Sequence, residues 1–95
     1  MNIYHFGRAW MHQGTAEIAV ADDPDVGTAV VDTGLVSIDK DTDSNSKTAY
    51  CVWAVYNEDP GTSTPIIVSS VSGGTVTFTA GNLDGITISW FAIGH

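Results

Sequence analysis

Apolar and polar residues alternate with a period of two along most of this 95-residue chain, as in strands with one dry face and one wet face. The clearest case is C-terminal. Val76 and Phe78 fall on one side and Thr75, Thr77 and Thr79 on the other, and Ile86, Ile88, Trp90 and Ala92 continue the dry side. Between these runs, Gly81-Asn82-Leu83-Asp84-Gly85 supplies residues that tolerate positive φ or bond their own backbone, which predicts a β-hairpin. At the other end, Ile3 to Met11 reads as one strand, with Ile3, His5, Gly7 and Ala9 on one face and Tyr4, Phe6, Arg8 and Trp10 on the other. His12-Gln13-Gly14 reads as a turn. Thr15 to Ala21 then gives a second strand, in which Ala16, Ile18 and Val20 alternate with Thr15, Glu17 and Ala19, and the two strands suit a hairpin.

The middle of the chain continues in the same way. Asp22-Asp23-Pro24-Asp25-Val26-Gly27 is a loop by composition. Thr28 to Ile38 is a third strand region, interrupted or bulged at Gly34, because a mid-strand glycine costs stability unless the backbone needs it. Asp39 to Lys47 is too hydrophilic to cross a core. Thr48 to Tyr56 is apolar on both faces, with Ala49, Cys51, Trp53 and Val55 on one and Tyr50, Val52, Ala54 and Tyr56 on the other. Such a strand is sandwiched between two layers or pressed against another subunit. Asn57 to Pro65 is rich in turn residues, and Ile66 to Val71 leads into the C-terminal hairpin. No window carries the i, i+3, i+4, i+7 apolar pattern of a helix. About seven short antiparallel strands between Gly and Pro turns predict an all-β chain, a single small β-sandwich or jelly-roll-like domain over residues 1–95 with no substantial helix.

Composition adds a hint of partners. Hydrophobic residues make up 43% of the chain and charged ones only 15%, so Thr, Ser, Asn, Gly and apolar atoms must cover much of the surface. A subunit that hides part of its outside in an assembly tolerates such a surface better than a free monomer does. Eleven acids against Arg8, Lys40 and Lys47 give a net charge of −8, which repels phosphate backbones and excludes nucleic acid from the expected partners. Cys51 is the single cysteine, so there is no internal disulfide, and its run Tyr50-Cys51-Val52-Trp53 reads as buried. The N-terminus shows no basic stretch followed by an apolar one, and no run approaches the ~20 apolar residues of a membrane span. Synthesis in a cytoplasm and no membrane association are therefore expected.

Candidate chemistry is sparse. Asp39, Asp41, Asp43 and Asn45 place oxygen ligands at alternate positions, like the start of a calcium loop. Ser44, however, stands where the sharp turn needs glycine, and the twelfth position is Tyr50 instead of a bidentate glutamate. Asp22, Asp23 and Asp25 suit turn formation and solubility. His5, His12 and His95 lack metal-ligand spacing. No G-x-S-x-G elbow surrounds a serine, and nothing fixes the separation of a carboxylate pair, so neither catalysis nor a cofactor is expected. The aromatic residues read first as core and subunit contacts, and secondly as a sugar-stacking platform.

Three pieces of the chain bear a resemblance: Tyr4-His5-Phe6-Gly7-Arg8-Ala9, Gly27-Thr28-Ala29-Val30-Val31-Asp32-Thr33-Gly34-Leu35, and Gly73 to Phe78 together with Ile88-Ser89-Trp90-Phe91-Ala92-Ile93-Gly94. They resemble small tailed-bacteriophage virion proteins, a group that includes head decoration or cement proteins and the β-sandwich tips of tail fibres. The aromatic-Ala-Ile-Gly ending is also similar to H-type lectin-like modules. The resemblance implies a non-enzymatic structural protein of the virion that binds the major capsid protein on the outside of the phage head and stabilises the shell, as a homotrimer. The alternative it implies is a carbohydrate-binding fibre module for host attachment. Length favours decoration, because no shaft repeat precedes Ile3. On this reading Tyr50, Val52, Tyr56, Phe91, Ile93, Tyr4, Phe6 and Trp10 are the expected subunit or capsid contacts, with Phe91 and Ile93 on the outer side of a last strand whose inner side is Trp90 and Ala92.

Overall fold

The computed structural model describes residues 2–6, 9–20, 26–42, 48–59, 61, 63–81 and 85–95. Among these described residues nine strands follow one another: β1 (Asn2–Phe6), β2 (Ala9–Val20), β3 (Val26–Asp32), β4 (Lys40–Thr42), β5 (Thr48–Tyr50), β6 (Val52–Tyr56), β7 (Ile67–Ser72), β8 (Thr75–Gly81) and β9 (Ile86–Gly94). No helix occurs among the described residues. Every pairing is antiparallel. One layer runs β1-β2-β9-β6 and the other β3-β8-β7, joined at a corner where Ala19 and Val20 at the end of β2 leave β9 and pair with Thr28 and Gly27. β4 and β5 form a separate small hairpin. The fold is thus the expected all-β, sandwich-like one, with seven strands in its two layers.

The core forms where the dry sides of the two layers meet. Ile18, Ile88, Trp90, Ala92 and Val52 come from the first layer, and Ala29, Val31, Val76, Phe78 and Ala80 from the second. Phe78, Ile18, Ile88 and Val76 are fully buried, each worth up to about 1.5–3 kcal/mol of transfer free energy. The alternation read for Val76 and Phe78 and for Ile88, Trp90 and Ala92 is the alternation observed.

The third strand region differs from the expected Thr28 to Ile38: β3 takes in Val26 and Gly27 and stops at Asp32, so Gly34 lies beyond the strand and not in a bulge. Local structure differs in three further places. First, β8 and β9 do not form a hairpin: β8 pairs with β3 and β7, and β9 pairs with β2 and β6. The chain passes between layers after Gly81, so the dry faces of β8 and β9 oppose each other across the core instead of lying side by side. Turn chemistry and alternation are the same for both outcomes; the partners of each strand decide between them. Residues 82–84 of the expected turn lie outside the described residues. The real hairpin is β7–β8, closed by Gly73-Gly74 between the paired Ser72 and Thr75. Gly73 has φ +60 and Gly74 does not enter the left-handed region, the pattern of a type II′ turn.

Second, His12-Gln13-Gly14 is no turn but mid-strand. β2 runs unbroken through it, and the reversal sits between Phe6 and Ala9, which pair with each other. Gly14 is a glycine because it lies opposite Trp90: a Cβ there would stand 2.8 Å from Trp90 Cζ2. Third, Thr48 to Tyr56 is two strands. β5 pairs with β4 and β6 with β9, and the chain changes partner at Cys51, whose N–H donates to Asp39 O while its own C=O accepts from Ile93 N–H.

The end of the sandwich is closed by the segment that follows β3. Thr33 is fully buried; its N–H and Oγ1 both donate to Gly74 O, at 3.0 and 2.6 Å, and its C=O accepts from His12 Nδ1 at 2.6 Å. Ile38 N–H donates to Gly73 O, while Val36 and Ser37 N–H both donate to His95 O. One short segment thereby ties the β7–β8 turn of one layer to β2 and to the end of β9 in the other.

Candidate functional site

The exposed side of the first layer is the best-formed surface. Along β9 the inward residues are Ile88, Trp90 and Ala92, so Thr87, Ser89, Phe91 and Ile93 face outward. Along β6 the inward residues are Val52, Ala54 and Tyr56, so Trp53 and Val55 face outward, 44% and 50% exposed. Cross-strand register then assembles the face: Trp53 opposite Phe91, Phe91 opposite Gln13, Val55 opposite Ser89, and Ile93 opposite Met11. Trp53 and Phe91 stack with ring centroids 5.5 Å apart and planes 18° from parallel, a geometry worth about 0.5–1.5 kcal/mol beyond the area it covers. No charged residue occurs in β6, in β9, or in β2 from Met11 to Ala16. Carboxylates begin at the end of the face, where Glu17 lies opposite Thr87 and Glu58 Oε1 accepts Thr87 N–H at 2.9 Å. A depression of about 170 Å³ beside Phe91 is lined by Gln13, Gly14, Thr15, Ser89 and Trp90.

The expected contact residues distribute as follows. Phe91 and Ile93 are half-buried on this outer face. Val52 is not on it: at 7% exposure it belongs to the core, because strand parity turns it inward with Ala54 and Tyr56. Tyr56 packs against the core and its hydroxyl donates to Thr64 O; burial pushes its phenol above the ordinary tyrosine range. Tyr50 is exposed, but on β5, beside the face and not in it. Tyr4 and Phe6 are placed by register opposite Met11 and Ala9, and their side chains lie outside the described residues. Trp10 is 42% exposed and lines a different concavity. Trp53, Val55 and Met11 were missed. The signal was parity: given Val52 inward, Trp53 and Val55 must point out, but sequence alone does not say which side of a doubly apolar strand meets the core.

The second concavity is a groove of about 320 Å³ at the closed end, lined by Trp10, His12, Gly34, Leu35, Val36 and His95. Because Thr33 O can only accept, His12 Nδ1 carries the proton of that bond, and in the neutral ring Nε2 is an acceptor. His95 Nδ1 lies 2.9 Å from Asp39 Oδ1, a largely exposed pair worth at most about 1 kcal/mol. Asp39 is thereby engaged, and Asp41 sits in strand β4. Asp43 and Asn45 lie outside the described residues, as do Asp22, Asp23 and Asp25. Among the described residues no three or more His, Cys, Asp or Glu side chains gather to hold a metal. Cys51 is a free, half-buried thiol.

No protein-family model, curated protein or solved structure matches this chain. Among the described residues there is no helix long and apolar enough to cross a membrane, which says nothing of crossing by strands.

Proposed function

We propose that this protein is a non-enzymatic structural subunit of a phage virion, a decoration or cement protein that docks on the outside of the head through the outer face of the β1-β2-β9-β6 layer. The observation that carries the reading is the uncharged aromatic face built around the Trp53–Phe91 stack, in a chain whose net charge is −8. Exposed Trp and Phe on a rigid sheet, with acids kept to its end, are the ingredients of a protein–protein contact. The virion setting rests on the sequence resemblance. The mechanism is mechanical: each copy bridges neighbouring capsid subunits, and the buried face must be torn away before the shell can burst.

A second reading is favoured by the depression beside Phe91, where an aromatic ring, the Gln13 amide and the Thr15 and Ser89 hydroxyls lie together. Such a set suits a sugar ring, and hence a host-attachment module. Co-sedimentation with empty heads, assembled from the major capsid protein of the same genome, tests the first reading. Binding that Trp53→Ala abolishes supports decoration. Absence of binding to heads together with micromolar binding on a glycan array overturns it in favour of the second.

A further inference from the structure

We propose that β6 is an assembly edge, at which two copies of this chain pair β6 against β6 antiparallel, about a two-fold axis at Ala54, into one continuous sheet. The inference goes beyond the virion reading, because it requires only the edge and no shell. Among the described residues β6 ends its layer and pairs on one side only, with β9. Its hydrogen-bonding parity is fixed by its flanks: Ile93 N–H donates to Cys51 O, and Asn57 N–H donates to Thr87 O. Alternation then turns the backbone groups of Trp53 and Val55 toward β9, and leaves the N–H and C=O of Val52, Ala54 and Tyr56 pointing out of the sheet. An edge of this kind is a template for another strand.

The occupant follows from the side chains and the charge. Around Ala54 the sequence Val-Trp-Ala-Val-Tyr is self-complementary in size. Ala54 meets Ala54 at the axis, and Val52 meets Tyr56 in hydrogen-bonded pairs. Trp53 meets Val55 in the closer, non-hydrogen-bonded pairs, an aromatic against a β-branched residue on the outer face. A chain of net charge −8 repels its own copies everywhere except at uncharged surface, and β6 carries no charge. It also lacks the usual protections of an edge, having no Lys, no Pro and no bulge. The edge strand of the other layer, β7, is protected: its register shifts between Val68 and Ser70, and Ser69 Oγ turns back to Thr77 O and Thr79 Oγ1.

Sedimentation velocity on the full chain up to about 100 µM is the test, and a dimer is expected there. Ala54→Pro deletes an N–H that faces out of the sheet and leaves the β6–β9 ladder intact. Val55→Lys places a charge at a half-exposed position. Each should weaken the dimer by about 100-fold or more while near-UV circular dichroism stays native. Ile67→Lys, at the exposed start of β7, should leave the dimer unchanged. If Ala54→Pro does not fold, Val55→Lys decides. A monomeric wild type, a trimer, a dimer that survives Val55→Lys, or one lost equally in Ile67→Lys overturns the proposal. A monomer that still sediments with heads overturns the edge and leaves the docking reading standing.

Discussion

Gly74→Ala should be strongly destabilising. A Cβ on Gly74 would stand 1.7 Å from Leu35 O and 2.7 Å from Leu35 C, so it meets backbone, which cannot swing away as a side chain does. Relief requires that the β7–β8 turn and the segment after β3 separate. Gly74 O is the common acceptor of Thr33 N–H and Thr33 Oγ1, and both bonds stretch or break in that movement. Two buried hydrogen bonds at about 1 kcal/mol each, with about 1–3 kcal/mol of overpacking strain, give roughly 3–5 kcal/mol. That is a large share of the about 5–15 kcal/mol by which a domain is stable, and for a chain of this size it lowers Tm by about 15–30 °C. Gly61→Ala is the control. Gly61 has φ +58 but nothing within 4 Å of its would-be Cβ, so only the left-handed backbone is penalised, at about 1–2 kcal/mol. Thermal unfolding followed by calorimetry and tryptophan fluorescence compares the two. A Gly74→Ala melting point within about 5 °C of that of Gly61→Ala would refute the closed-end argument.

The outer face and the core each yield a further expectation. Trp53→Ala should cost only about 1 kcal/mol of stability, since the ring is 44% exposed, yet weaken docking on heads at least about ten-fold; equal head binding by the two proteins in co-sedimentation would remove Trp53 from the site. Phe91→Ser should likewise impair assembly more than folding, read by comparing head binding with urea midpoints, and unimpaired assembly would show that the face lies elsewhere. Gly14→Ala should destabilise by about 1–3 kcal/mol and change the tryptophan near-UV band, because its Cβ presses on the Trp90 indole. Tyr56 has a raised folded pKa, so its contribution is fully present below the unfolded value of about 10 and is lost as pH rises through the folded value. Urea midpoints at about pH 8 and about pH 11 should therefore fall less in Tyr56→Phe than in the wild type, and equal slopes would count against the burial effect.

The period-two pattern made the strands and the core legible, because burial on one face is a property of neighbouring residues: Val76, Phe78, Ile88, Trp90 and Ala92 were read correctly from alternation alone. What was not legible is whatever depends on the partner strand. Gly14 looks like a turn residue until Trp90 is placed opposite it. Gly81 to Gly85 has the composition of a hairpin, yet the chain crosses there to the other layer. For the candidate site the same rule decided between Val52 and Trp53. Both faces of β6 are apolar, so only its pairing with β9, which sets Trp53 against Phe91, shows which face is free. Phe91 and Ile93 were recoverable because their strand has an unambiguous inner side.

Charge sorts this surface at two ranges. Within a Debye length of about 8–10 Å the chain's net −8 repels any acidic body, its own copies included, and beyond it salt screens the charge. The carboxylates nearest the outer face have local tasks: Glu58 caps the Thr87 N–H at the start of β9, and Asp39 holds His95 beyond its end. Between them Met11, Trp53, Val55, Phe91 and Ile93 offer apolar area with no charge to satisfy. The proposed docking through this face would therefore gain nothing from steering, and its expected association rate is the unsteered one of about 10⁵–10⁶ M⁻¹s⁻¹. A low proportion of charge and a strongly acidic balance are then compatible: the acids set the net charge of the whole chain while β6 and β9 stay bare.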